Sequence, residues 1–112
     1  MRRNVQLKFT LIDSMLIHIV CWKYKPEIEA TTRDEHREKL RALASKIADI
    51  MSFEVGADIL NLDRSFDTGL IAHFLDRDGL DNYTNHAEHL AVAAFGKQIA
   101  EKVVSVDFFS AE

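Results

Sequence analysis

The stretch LIHIVCWKYKP, residues 16–26, is dense in β-branched and aromatic side chains and stops at the one proline of the chain. That composition predicts a strand over 16–25, because Pro26 has no N–H to give to a ladder. Side chains alternate along a strand. His18, Val20, Trp22 and Tyr24 therefore share one face, and Ile17, Ile19 and Cys21 share the other. Neither face is polar, so a sheet built around this strand has to be covered on both sides.

The rest of the chain supplies one cover. In TTRDE, Thr32 and Glu35 have the spacing of a capping box. Leu40, Leu43, Ala44, Ile47 and Met51 follow at helical spacing, which predicts a helix over 32–50. SFEVGADIL, 52–60, alternates as a second strand, NLDRS is a turn, and DTGLIAHFL, 67–75, is a third strand. A second helical stretch is expected from Leu80 past His89 to Lys102, interrupted at Gly96, and VVSVDFF, 103–109, closes the chain as a strand. The order β-α-β-β-α-β predicts an α+β, ferredoxin-like fold with a four-stranded antiparallel sheet and both helices on one face.

The opposite face is then left bare. Strand three carries Leu70, Ile71, Ala72, Phe74 and Leu75 on both its sides; in strand four Val103 opposes Val104 and Phe108 opposes Phe109. An exposed apolar sheet face marks an interaction surface, and its simplest cover is the same face of a second copy. The expectation is a homodimer, a dimeric α+β barrel. Its interior should include Ile19, Leu70 or Ile71, Val104 or Val106, and Phe108 or Phe109.

With 112 residues the chain is sized for one domain. Its net charge is −4 and its Lys and Arg are dispersed, which argues against a nucleic-acid partner. No apolar run reaches the ~20 residues of a membrane span. The lone Cys21 lies in an apolar run and reads as a small buried hydrophobe. Residues 1–14 read as an extension ahead of a domain covering 15–112. Gln6, Lys8 and Asp13 interrupt any signal-peptide core, and a cytoplasmic location follows. Val5, Leu7, Phe9 and Leu11 alternate and could add an edge strand.

Chemistry concentrates in YTNHAEHL, 83–90, where Tyr83, His86 and His89 recur every three residues. A partly desolvated imidazole can move protons near neutral pH, and a tyrosine hydroxyl can donate to a developing oxyanion. His86 and His89, with Glu88, could also hold a metal. A catalytic zinc wants three protein ligands, however, so neither metal nor cofactor is expected. The plain alternative is a pair of solvated histidines at a helix start with Tyr83 as a rim aromatic. His18 tilts the reading toward a pocket between helix and sheet, walled by Val20, Trp22 and Leu90. His73, near a strand end, and His36, on an exposed first turn, read as ordinary polar residues.

The strands MLIHIVCWKYKP, SFEVGADI and RSFDTGLIAHF and the block YTNHAEHL, in that order, resemble the stress-responsive dimeric α+β barrel family. The family's Tyr-x-x-His-Pro-x-His pattern is matched by Tyr83, His86 and His89, with Ala87 in place of the proline. His18 stands where the family has a strand-one histidine. The resemblance implies sheet-to-sheet dimers. By analogy with a plant cyclase of the family it also implies a cofactor-free aldol chemistry, with Tyr83 as hydrogen-bond donor, His89 as general base, and His18 and His86 nearby. The strand-three pocket histidine of that cyclase aligns near Thr68 here. Three functions stay open: a dimeric module binding a small apolar or aromatic ligand, a cofactor-free lyase or cyclase, and a small monooxygenase of the antibiotic-biosynthesis type.

Overall fold

The first strand, β1 (Leu16–Tyr24), is central in a four-stranded sheet of order β2-β3-β1-β4. β2 spans Ser52–Ala57, β3 Thr68–Phe74 and β4 Ala100–Phe109. Every pairing is antiparallel. Three helices complete the fold, namely α1 (Ala30–Ala42), α2 (Arg77–Asn85) and α3 (Ala87–Ile99). The computed structural model describes residues 14–110; the alternating segment Val5–Leu11 lies outside them. Among the described residues no helix is long and apolar enough to cross a membrane.

The ferredoxin-like topology is the expected one, but several boundaries moved. α1 starts two residues before Thr32, so the expected capping box does not form. Glu29 is the N-cap and makes no side-chain cap bond. The helix tightens after Ala42 into a 3₁₀ turn, Leu43–Ser45, which keeps Leu43 and Ile47 buried. The second helical stretch divides at His86, not at Gly96. Just before the break the Thr84 hydroxyl and the Asn85 amide bond the carbonyls of Leu80 and Asp81. Such side-chain bonds compete with continuation of the helix. His86 has extended backbone and caps α3 by accepting the Glu88 N–H at Nδ1. β4 begins three residues early, at Ala100, directly after Ile99.

Pairing register sorts the two sheet faces. Leu16, Trp22 and Tyr24 pack with Leu70, Ala72 and Phe74 beneath Leu40, Leu43, Ile47, Tyr83 and Ile99. On the other face Ile19 stands opposite both Ile71 and Val106, Cys21 opposite Val104, and Ile17 opposite Phe108. Among the described residues no helix covers this side, and Val106 and Phe108 are 52% and 43% exposed. Of the residues expected there, Leu70 turns instead toward the helices and is buried. Cys21 is half-buried on the open face rather than in the core.

His36 is the largest departure from the sequence reading. It is fully buried, not on an exposed turn. Its Nδ1 bonds the Tyr24 hydroxyl at 2.6 Å, which in turn bonds Thr68 Oγ1 at 2.8 Å. Arg37 donates to the same Thr68 oxygen from the solvent side. Burial, assisted by the Arg37 charge, lowers the His36 pKa from 6.5 to about 4. The ring is thus neutral in the fold, while the unfolded chain takes up a proton below about pH 6.5. Stability should therefore fall as pH drops from 6.5 toward 4, by of order 3 kcal/mol at the lower end. His89, also lowered, adds in the same direction. Urea unfolding at pH 7 and pH 4.5 measures the slope, which His36→Gln should flatten; equal wild-type stability at the two values would refute the assignment.

Gly96 is what lets α3 approach this ring. A Cβ added there would meet His36 Nε2 at 2.7 Å and Trp22 Nε1 at 3.1 Å. Neither ring can retreat, since both are buried. Gly96→Ala gains up to ~1 kcal/mol of helix propensity against an overpacking cost of ~1–3 kcal/mol. The expected net result is a lower denaturation midpoint, and a raised midpoint would show that α3 has room to spare.

Candidate functional site

Between the sheet and α3 lies a cavity of about 330 Å³. β1 contributes His18, Val20 and Trp22, as its alternation demands. α2 brings Tyr83 and Thr84, α3 brings His89, Ala93 and Lys97, α1 brings Leu40, and β4 brings Val103 and Ser105. The break at His86 makes this convergence possible. It lets Tyr83, at the end of one helix, lie against His89, in the first turn of the next, with ring centroids 4.4 Å apart. The Tyr83 ring also meets His18 at 5.8 Å and Phe74 at 5.1 Å.

Each of the two imidazoles is held by a defined hydrogen-bond partner. His89 Nδ1 donates to the Thr84 carbonyl at 3.0 Å, which leaves Nε2 as the nitrogen able to accept a proton. Desolvation lowers the pKa of His89, and the neighbouring His18 and His86 act in the same direction; the Thr84 bond opposes them. The imidazole is therefore neutral near pH 7. Burial pushes the Tyr83 phenol far up, so it stays a protonated donor. His18 Nδ1 is bonded to Asp107 Oδ1 on β4, a carboxylate–imidazole pair that fixes the ring. The arrangement offers a base, a neutral O–H donor and a second imidazole around an apolar space, which suits a ligand bearing an oxygen beside an acidic proton.

Two residues predicted at this site lie elsewhere. Leu90 is 53% exposed and does not wall the cavity. One residue advances 100° around a helix, so with His89 turned inward Leu90 faces out; Leu40 and Val103 form the walls instead. His86 is spent on capping α3 and does not line the cavity. Tyr83 is a core residue, 2% exposed, not a rim aromatic. His73, on the open sheet face, bonds Ser52 Oγ. Asp107, Thr84 and Lys97 escaped the sequence reading. For Asp107 the only local signal is a carboxylate amid the apolar alternation of its strand; its partner follows from the pairing of His18 with Asp107. Among the described residues no three His, Cys, Asp or Glu side chains cluster as a metal site.

A ferredoxin-like α+β sheet with one bare apolar face, and a pocket of tyrosine and histidines beneath its helices, defines a class of small barrel-forming domains. The chain belongs to the stress responsive A/B barrel domain family, whose model matches residues 16–110. It is 32% identical over 94 residues to a stress-response A/B barrel domain-containing protein of Arabidopsis thaliana, covering 81% of this chain and 82% of that one. A dimeric protein of unknown function and ferredoxin-like fold from Bacteroides fragilis superimposes with TM-score 0.74 at 26% identity, covering 84% of this chain and 94% of its own. A hydroxynitrile lyase from Passiflora edulis superimposes with TM-score 0.79 over 88% of this chain and 94% of its own. At 20% identity that likeness is one of fold.

Proposed function

We propose that two copies of this chain pair through their open sheet faces, and that each copy binds a small apolar or aromatic molecule in its helix–sheet cavity and moves a proton on it. The observation that carries the reading is the Tyr83–His89 contact, with His89 Nδ1 committed to the Thr84 carbonyl. His89 Nε2 removes a proton from a C–H or O–H beside a carbonyl or nitrile carbon. From the C–H an enolate forms, its oxygen held by the Tyr83 O–H, and its carbon bonds to an electrophilic carbonyl carbon whose oxygen takes the proton back from the imidazolium. From the O–H the alkoxide, held by the same donor, collapses to a carbonyl as the C–C bond breaks, and the departing carbanion or cyanide takes that proton, so no external reductant or oxidant is required. This is lyase or cyclase chemistry of the aldol type, run in either direction. The uncovered apolar face and the dimeric Bacteroides relative support the pairing. The hydroxynitrile lyase among the fold neighbours is compatible with the chemistry.

The test is hydrogen exchange at carbon. Phenylacetone, an arylalkyl ketone of suitable size, is incubated with the protein in deuterated buffer and its methylene signal followed by NMR. Enzyme-dependent loss of that signal supports the proton transfer. Saturable binding with no exchange reduces the protein to a ligand-binding module, and neither binding nor exchange of this ketone rejects the pocket reading.

A further inference from the structure

The cavity has two chemically different ends. His89, Ala93 and Lys97 recur every four residues on α3, so they share the face that lines it. At 1.5 Å per residue the backbones of His89 and Lys97 stand ~12 Å apart. The sheet beneath runs the same gradient. On it His18 pairs with Asp107 at the ring end, Val20 with Ser105 in the middle, and Trp22 with Val103 beyond. Residue 96 abuts Trp22, which places Lys97 at that last end. Among the described residues Lys97 makes no ion pair or hydrogen bond. Between the two ends the helix presents only the methyl of Ala93, and the sheet presents Val20 beside the small Ser105, so the passage is open and mostly apolar.

Building on the pocket reading above, we infer that the ligand is an amphipathic carboxylate. Its anionic group pairs with Lys97, its hydrocarbon or aryl body lies along Ala93, Val20 and Val103, and its reactive oxygen meets Tyr83 and His89. The charge count favours a carboxylate over a phosphate. One ammonium matches one negative charge, and among the described residues no arginine lines the cavity to satisfy a phosphate's further oxygens. The α3 N-terminus, where free N–H groups could hold a phosphate, is at the opposite end, beside the rings. The volume, near the lower bound of ~300–1,000 Å³ for ligand pockets, fits a molecule with a single ring.

The test compares 4-phenylbutyrate with 4-phenylbutan-1-ol, matched in length and differing in charge, titrated by NMR at low salt. Wild type should bind the acid about fivefold more tightly. Lys97→Met, which keeps the apolar stem, should erase that margin and leave the alcohol within about twofold of wild type. Lys97→Glu, if folded, should instead prefer 4-phenylbutylamine. Equal wild-type affinity for acid and alcohol, or an acid preference that survives Lys97→Met, overturns the carboxylate assignment and leaves the pocket reading intact, since the alcohol still binds. Binding of neither compound overturns both.

Discussion

Ile19→Asp should eliminate the folded dimer at micromolar concentration and leave unfolded or aggregating protein. Ile19 lies mid-strand on the open face, opposite Ile71 on one side and Val106 on the other. In a single chain this position is only half-buried, and an aspartate there would reach water at little cost. In a dimer built face to face, the same carboxylate would be sealed into an apolar interface on the order of 2,000 Å² in total. Breaking into such an interface with an unpaired charge costs on the order of 3–5 kcal/mol, and the two-fold imposes it twice. The variant thus separates a covered face from a bare one. Sedimentation equilibrium with circular dichroism reads the result. A wild type that is a well-folded monomer, or an Ile19→Asp protein that melts like wild type, would sink the proposed pairing.

His89→Ala should lower proton-transfer turnover by about 10²–10⁴-fold, the usual contribution of a positioned base. Tyr83→Phe should cost about 10²-fold, as for loss of one oxyanion donor. The two changes act differently on stability. Tyr83→Phe keeps a ring packed among Phe53, Phe74 and His18 and should be nearly neutral. Tyr83→Ala would empty a buried site at a cost of ~3–5 kcal/mol. His89→Ala loses the Thr84 bond and one ring contact, worth about 1 kcal/mol. The pH profile supplies an independent check. A base works only when neutral, and the His89 pKa is lowered from 6.5. Rate should therefore hold level through neutral pH and fall only on the acid side, below 6.5, and the limb should vanish with His89→Ala. A limb that persists in that variant assigns the titration to another group.

How much of this was legible in the residues depends on the range of the interaction that decides it. The period-two alternation of LIHIVCWKY alone settled β1 and sorted His18, Val20, Trp22 and Tyr24 onto the face beneath the helices. Alternation is a local property of an extended backbone, and no partner is needed to read it. The same pattern in β3 and β4 exposed the uncovered apolar face, and the spacing of Tyr83 and His89 marked where chemistry gathers. What lay beyond local pattern was decided by tertiary structure. His36 looked like a solvated helical histidine until α3, approaching at Gly96, closed over it. Leu90 lost its place in the cavity because the break at His86 set the rotation of α3. That break lies where His86 takes extended backbone and caps α3, a choice that propensity leaves open. Asp107 became the partner of His18, 89 positions away in the chain, only through strand register. Register and helix rotation are fixed by packing between distant segments, which alternation and spacing along one chain do not encode.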